Sequence, residues 1–176
     1  TLHGVEQMPC DNQVRILLDP IAPSHLDAVF VEVFEGLDQH RMLANFRFLG
    51  DQLLVALDGT NDFSSKAIHC QNCRTRQLPN GQTLSYHAAI TPVIVCPGRP
   101  QVIALPPEYI MPQDGHATQD CERAAGKRWL SKHATQVASR GATLLGDDLY
   151  SNQPFCALVV QHRCNFIFTC KPDSHP

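Results

Sequence analysis

Two apolar segments, each followed at once by aspartate, constrain what this chain can fold into. Residues 53–57 run directly into Asp58, and residues 142–146 run into Asp147 and Asp148. Such apolar runs predict strands that are buried on both faces of a sheet. A carboxylate at the end of a strand of this kind lies at the sheet edge, where open α/β sheets bind ligands. Two such ends side by side would suit Mg²⁺ and phosphate chemistry.

The composition predicts a folded domain. The chain has 176 residues, of which 43% are hydrophobic and 18% are charged. That length suffices for one sizeable domain, and the polarity is too low for a disordered chain. No apolar run has the length of a membrane helix, and no segment resembles a signal peptide. The net charge of −3 gives no overall basic character for nucleic-acid binding, but it leaves room for a local basic stripe.

The cysteines offer one metal-binding pattern. With no secretory signal, we interpret most of the eight cysteines as small buried hydrophobic residues in a reducing compartment. Cys70 and Cys73 have the Cys-x-x-Cys spacing that lets two thiolates hold one tetrahedral zinc ion. A complete site needs two more ligands, and His69 and His87 are the nearest candidates. A reduced thiol pair in a loop is the alternative interpretation, because the chain has no second Cys-x-x-Cys pair.

Helical periodicity dominates the first part of the chain. The pattern predicts a short helix that begins near Asp11 and ends before Pro20, and a longer helix that begins near Ser24. We therefore expect an N-terminal helical segment over residues 1–50 and a second region over residues 51–176. The apolar face expected of the longer helix consists of Leu26, Val29, Phe30, Val33, Phe34 and Leu37.

The second region predicts a mixed sheet with helices. A turn signal at residues 97–100 favours an antiparallel return between the early strands, and helical crossovers favour parallel pairing of the later ones. The expected order is three antiparallel strands followed by alternating helices and strands, which is an α/β fold. The strands are expected at 52–57, 83–96, 102–105, 143–146 and 165–170, and the helices at 120–139 and 154–162.

Several motifs follow one another in a fixed order along the chain. They are Leu57-Asp58-Gly59-Thr60, Ile68-His69-Cys70-Gln71-Asn72-Cys73, Gln119-Asp120-Cys121-Glu122, Lys127-Arg128-Trp129-Leu130, Leu144-Leu145-Gly146-Asp147-Asp148-Leu149-Tyr150 and Cys170-Lys171-Pro172-Asp173. This series resembles the DDE-type insertion-sequence transposases, whose catalytic core has a ribonuclease H-like fold. The resemblance covers most of the chain and agrees with the order of the elements. It implies that residues 51–176 are a partial ribonuclease H-like catalytic domain.

The resemblance also implies which residues are catalytic. In this family one catalytic aspartate ends the first strand and another follows the fourth, which gives these roles to Asp58 and Asp147. The third acidic residue of the family is a glutamate on a helix after the fifth strand, and the chain stops before that point. The fragment is therefore expected to be inactive alone. Asp148 is expected to be a cap, surface or salt-bridge residue, because neighbouring strand residues point to opposite faces.

The implied reaction is DNA cleavage at transposon ends and joining of the 3′-hydroxyl to target DNA. Asp58 and Asp147 would hold Mg²⁺ or Mn²⁺, because these ions prefer oxygen ligands and stabilise the attacking and leaving oxygens of a phosphodiester. The implied partners are DNA and further copies of the chain, as a homodimer or a larger assembly, in a bacterial cytoplasmic protein that is nucleoid-associated when bound to DNA. The alternatives are two strand-end turn residues without metal, an inactive transposase remnant, a zinc-stabilised binding module, or a nuclease that cuts without joining.

The helix expected over residues 120–139 offers further candidates. Its basic face is predicted to contact DNA phosphates, with a merely solvated face as the alternative; it consists of Arg123, Lys127, Arg128 and Lys132. Trp129 is expected in the core. Asp120 and Glu122 open the helix, where acidic residues interact favourably with the helix dipole, and an accessory role near the metals is the alternative. Asp114 and His116 in the preceding proline-rich loop could line the site.

Overall fold

The computed structural model describes residues 9–112 and 120–172. The four α-helices of this part are α1 (Asp11–Leu18), α2 (Asp27–Gln39), α3 (Glu122–Ala138) and α4 (Gln153–Gln161). Its strands are β1 (Arg47–Phe48), β2 (Gln52–Ala56), β3 (Gly59–Ser65), β4 (Arg74–Gln77), β5 (Thr83–Ile90), β6 (Val93–Val95), β7 (Ile103–Ala104), β8 (Glu108–Ile110), β9 (Ala142–Gly146) and β10 (Asn165–Phe168). Within the described ranges, no helix combines the length and apolarity needed to cross a membrane.

The main sheet is mixed, as the sequence predicts. Its strands lie in the order β10-β9-β2-β6-β7, and β1 pairs with β2. The pairs β2–β6 and β6–β7 are antiparallel, whereas β9 pairs in parallel with both β2 and β10. Helix α3 precedes β9 in the chain and α4 connects β9 to β10, which fits parallel pairing through helical crossovers. The coarse prediction of a mixed α/β sheet is therefore confirmed.

A second sheet was not expected from the sequence. It has the order β3-β5-β4, and β8 pairs with β5. The single strand predicted over residues 83–96 is in fact two strands in different sheets, because the chain leaves β5 at Ile90 and enters β6 at Val93. Pro92 lies at this break and has no N–H for a ladder hydrogen bond. β3 and β4 escaped prediction because their residues are mostly polar and exposed.

The core is one buried cluster to which both sheets and the helices α2, α3 and α4 contribute. Trp129 is fully buried, as expected, and its indole N–H donates to the carbonyl oxygen of Pro106 at 2.8 Å. Phe34 of α2 belongs to the same buried cluster. The guanidinium of Arg140 binds Glu35 and Asp38, with nitrogen–oxygen distances of 2.6 Å to each, and so ties α2 to the end of α3.

The predicted apolar face of α2 is only partly correct. Phe34 is the residue of this helix that the core buries, and Leu37 packs against the core from a half-buried position. Val29 and Val33 remain 55% and 53% exposed, and Leu26 just before the helix is 56% exposed. The periodicity identified the helix correctly, but the described part of the chain covers only one end of its apolar stripe.

Candidate metal centres

The two predicted catalytic aspartates follow neighbouring parallel strands. In the β2–β9 ladder, Ala56 is paired with Leu145, and the N–H of Leu57 donates to the carbonyl oxygen of Leu145 at 2.9 Å. Asp58 and Asp147 each come two residues after this last pair. Both therefore lie just beyond the same end of the β2–β9 pair, and both are exposed.

A third carboxylate, that of Glu122, lies at the same edge. Burial raises the pKa of Glu122, and the negative charges of Asp147 and Asp58 raise it further. Hydrogen bonds from the Tyr150 hydroxyl and the Gly59 N–H oppose this shift. A Cβ atom at Gly59 would lie only 2.6 Å from the Glu122 carboxyl carbon, so the absence of a side chain there lets the carboxylate approach the backbone. The Glu122 carboxylate, on the first turn of α3, therefore interacts electrostatically with both Asp58 and Asp147.

A hydrogen bond from the buried Tyr150 holds the Glu122 carboxylate in place. The tyrosine side chain is fully buried, and its hydroxyl donates to Oε1 of Glu122 at 3.0 Å. Burial raises the pKa of Tyr150, and the charges of Glu122, Asp147 and Asp58 raise it further. The phenol therefore keeps its proton at any physiological pH and acts only as a donor to Glu122.

The neighbours Asp147 and Asp148 have different contacts. Oδ1 of Asp147 accepts from the N–H of Leu149 at 2.9 Å, which shapes the turn after β9. Oδ1 of Asp148 accepts from the N–H of Lys171 at 2.7 Å, just beyond β10. Asp148 thus links the turn after β9 to the segment that follows β10.

An ion-pair network holds the beginning of α3. Arg128 donates to both carboxylate oxygens of Asp120, at 3.0 and 2.8 Å, and to Oε1 of Glu108 on β8 at 2.7 Å. Burial by itself would raise the pKa of Asp120, but the hydrogen bonds and charge of Arg128, with the N–H groups of Cys121 and Met111, lower it overall. These bonds set the position of the helix turn that carries Glu122.

Two of the four residues on the predicted basic face of α3 are held in ion pairs, and the other two are exposed. Arg128 is committed to Asp120 and Glu108, and Nζ of Lys132 binds Oε2 of Glu108 at 2.7 Å. Arg123 and Lys127 lie one turn apart on the exposed side, near the Glu122 end of the helix. These two residues therefore remain the better placed of the four to meet a phosphate.

A basic surface that the sequence interpretation missed lies on the second sheet. Residues 63–107 contain no Asp or Glu, in a chain whose net charge is −3. Arg74 and Arg76 on β4 stand over the ring of Tyr86 on β5, with 5.3 and 5.8 Å from each guanidinium carbon to the ring centroid. The run of neutral and basic residues was visible in the sequence, but the contact of both arginines with Tyr86 required the strand pairing.

The cysteine motif forms a second candidate metal centre. Sγ of Cys70, Sγ of Cys73 and Nε2 of His87 all lie within 4.8 Å of one another. This cluster could bind a metal such as zinc, which prefers sulfur and imidazole ligands. His69, the other candidate ligand, is exposed and does not belong to the cluster. Burial raises the pKa of the Cys73 thiol, so the metal-free site keeps that proton more firmly than a free cysteine does.

The expectation that most cysteines are buried is wrong. All eight are free, and only Cys73 and Cys164 are buried. The predicted site residues Asp114 and His116 lie outside the described residues. Comparisons with protein-family models, with curated proteins and with solved structures found no match.

Proposed function

We propose that the chain is part of a DDE-type transposase and that its carboxylate edge carries metal-dependent cleavage and joining of DNA strands. The observation that carries this proposal is that Asp58 and Asp147 follow two paired parallel strands and that the charges of both act on Glu122. Among the described residues, these three carboxylates do not form a group whose ligand atoms all lie within 4.8 Å of one another. The charges that shift the pKa of Glu122 are both negative, so the carboxylates repel one another. Such repulsion suits a site that gains its compensating charge from divalent cations.

The proposal includes a ribonuclease H-like architecture for the main sheet. Three strands pair in an antiparallel manner, β2 with β6 and β6 with β7, and two further strands add in parallel through helices. This arrangement supports the fold that the motif series implies. In an open sheet of this kind, the ligand site lies at the carboxyl ends of the parallel strands. Asp58 and Asp147 occupy that end of β2 and β9.

The residues of the site have distinct roles in the proposed reaction. Asp58 and Asp147 would hold Mg²⁺ or Mn²⁺, which would supply charge stabilisation and an activated oxygen nucleophile. Glu122 provides a third carboxylate, and hydrogen bonds from the Tyr150 hydroxyl and the Gly59 N–H orient this side chain. The exposed Arg123 and Lys127, next to Glu122 on α3, would bind the DNA backbone and hold the scissile phosphate at the carboxylates.

A metal-binding experiment tests the site. The purified chain would be titrated with Mn²⁺ while free Mn²⁺ is followed by electron paramagnetic resonance. We expect Asp58→Asn and Asp147→Asn each to weaken binding about tenfold or more, since even outer ligand partners contribute that much. Asp148→Asn is the matched control, because asparagine keeps the oxygen that accepts from Lys171. Unchanged Mn²⁺ affinity in either of the first two variants would refute the role of that aspartate.

A second experiment tests the reaction itself. Supercoiled plasmid and a short 3′-hydroxyl duplex would be incubated with the protein and Mn²⁺, and nicked and joined products separated by electrophoresis. This assay uses the full-length protein, for which we expect both products from the wild-type sequence and from Asp148→Asn, and neither from Asp58→Asn or Asp147→Asn. Nicking without joining would favour a nuclease on the same fold. A protein that binds Mn²⁺ but yields neither product would be an inactive remnant.

The cluster of Cys70, Cys73 and His87 favours a second candidate function, a zinc-stabilised binding module. In that case the function of the chain would be nucleic-acid recognition, carried by the basic surface around Arg74 and Arg76. The two candidate functions predict different dependence of DNA binding and cleavage on Mn²⁺. The module would bind DNA equally well with and without Mn²⁺ and would leave the strands intact.

A further inference from the structure

The donor atoms of Cys70, Cys73 and His87 have the spacing of three corners of a tetrahedron. The two sulfur atoms are 3.8 Å apart, and Nε2 of His87 lies 3.2 Å from Sγ of Cys70 and 3.3 Å from Sγ of Cys73. An ion with Zn–S of about 2.3 Å and Zn–N of about 2.0 Å separates two sulfurs by roughly 3.8 Å and a sulfur and a nitrogen by roughly 3.5 Å. The sulfurs are too far apart for a disulfide, and both cysteines are free.

Backbone N–H groups point at both cysteine sulfur atoms. The N–H of Cys73 donates to the carbonyl oxygen of Cys70 at 3.2 Å, which closes a tight turn. The N–H of Asn72 points at Sγ of Cys70 and the N–H of Cys70 at Sγ of Cys73, each at 3.3 Å. Hydrogen bonds to ligand atoms orient them in metal sites, so these contacts position the two sulfurs for an ion.

The third ligand is held by the second sheet. His87 lies on β5, opposite Phe63 of β3, and the centroids of the two rings are 5.6 Å apart. The imidazole is half-buried. Because strand pairing and a ring contact both restrict it, Nε2 is presented to the cysteines with little loss of rotamer freedom on metal binding.

The connection that carries the cysteines lacks an apolar anchor of its own. β3 ends at Ser65, paired with Ser85, and β4 begins at Arg74, paired with Tyr86 on the other side of β5. Residues 66–73 therefore form a short connection that crosses from one edge of β5 to the other. All of them except Cys73 are exposed. A segment with so little buried surface gains its order from another source, and metals commonly provide it in small elements.

We propose that Cys70, Cys73 and His87 bind one zinc ion, which fastens the connection 66–73 to β5. Three protein ligands leave a fourth position, and the exposed side of Cys70 gives water access to it. The zinc holds the beginning of β4 and thereby fixes Arg74 and Arg76 against Tyr86. This inference does not depend on the proposed strand-transfer activity, because the ligands belong to the second sheet and not to the carboxylate edge.

Metal content and a cobalt spectrum test the site directly. The full chain would be purified, its zinc measured by plasma mass spectrometry, and the zinc exchanged for Co²⁺. We expect about one zinc per chain and a Co²⁺ spectrum with thiolate charge-transfer bands and the intense d–d bands of tetrahedral coordination. Cys70→Ser and His87→Gln should lose both signals. A wild-type protein without stoichiometric zinc after zinc is added back, or a six-coordinate Co²⁺ spectrum, would overturn the proposal.

Matched controls separate ligand loss from general damage. Cys96→Ser changes a cysteine outside the cluster, and His69→Gln changes the excluded neighbouring histidine; both should keep the full zinc content. Zinc loss in His69→Gln would overturn the proposed ligand set. Because ligand variants could fail to fold, amide hydrogen exchange of the wild-type protein provides a measurement without mutation. Chelation should speed exchange in residues 66–73 and leave β2 and β9 unchanged, whereas unchanged exchange in the connection would refute the fastening role.

Discussion

Tyr150 donates its hydroxyl hydrogen to Glu122 across 3.0 Å and so joins the turn after β9 to the first turn of α3. The tyrosine ring packs against Phe155 of α4 and Phe168 of β10, with centroids 5.0 and 6.1 Å away. A carboxylate at the edge of the sheet is thereby anchored in the hydrophobic core. Its position depends on Tyr150, which follows Glu122 by 28 residues, and on the α4 and β10 residues that pack against the tyrosine ring.

We predict that Glu122→Gln stabilises the metal-free protein at neutral pH and weakens Mn²⁺ binding. The folded-state pKa of Glu122 is raised by burial and by Asp147 and Asp58, so its charged form opposes folding. Glutamine keeps the acceptor for Tyr150 and removes the charge. The melting temperature should rise by roughly 2–3 °C, as expected for about 0.5–1 kcal/mol in a domain of this size.

The pH dependence checks the sign of this effect. A raised folded-state pKa means that folding favours the protonated form, so the stability of the wild type falls as the pH rises through that pKa. The difference between Glu122→Gln and wild type should therefore be largest at neutral pH and shrink under acid conditions. Scanning calorimetry at several pH values measures it. A constant difference would contradict the electrostatic explanation.

We predict that Gly59→Ala reduces metal binding much more than stability. An added Cβ would meet the Glu122 carboxylate, whose flexible side chain can move away at small cost. That movement breaks the hydrogen bond from the Gly59 N–H and withdraws an oxygen donor from the site. Mn²⁺ affinity should fall about tenfold, with a melting temperature close to that of the wild type. Gly36→Ala on α2 is the control, because a Cβ there has nothing within 4 Å; it should leave affinity unchanged.

We predict that Asp120→Asn destabilises the protein by about 2 kcal/mol at neutral pH, because it removes a charged partner from the buried contacts of Arg128. The folded-state pKa of Asp120 is lowered, so its contribution is present above the usual aspartate pKa and is lost as the pH falls through the folded value. Urea unfolding at neutral and acid pH measures the effect. Equal destabilisation at both pH values would argue against the ion pair as its source.

We predict that replacing Arg123 and Lys127 together by glutamine weakens DNA binding and makes it less sensitive to salt. Each lost phosphate contact reduces the slope of log affinity against log salt by about 0.9. Fluorescence anisotropy with a labelled duplex at several salt concentrations measures this slope. Arg15→Gln removes a positive charge from a different helix, α1, and serves as the control. An equal loss of slope in the control would indicate a general charge effect.

The strands of the main sheet could be predicted because they bury both faces. Residues 53–55 and 142–144 are all buried, and their continuous apolar runs were readable without tertiary information. The amphipathic helices α2 and α3 were likewise found from their periodicity. The strands of the second sheet were not found, because residues such as Asn61 and Thr75 are exposed and polar. Such strands exist through pairing with β5, which is a nonlocal property.

Some features of the candidate sites could likewise be predicted from the sequence, whereas others required the tertiary structure. The strand-end aspartates and the Cys-x-x-Cys pair were identified from local patterns. His87 was only one candidate ligand until β5 brought it within 3.3 Å of both sulfurs. Arg128 and Arg123 looked alike in the sequence, but the former is bound to Asp120 and the latter is exposed. Contacts of this kind join residues that are distant in the chain, so periodicity and spacing carry no information about them.

The sequence by itself determined that the chain forms a mixed α/β fold and that two of its buried strands are each followed by aspartate. Only the tertiary structure decided that β2 and β9 are neighbours in register and that Glu122 joins them. Buried apolar strands are specified by the free energy of transferring their own side chains from water, which is a local quantity. Which carboxylates then meet depends on sheet order, helix placement and the buried bonds of Tyr150 and Arg128, which form only when the whole chain has folded.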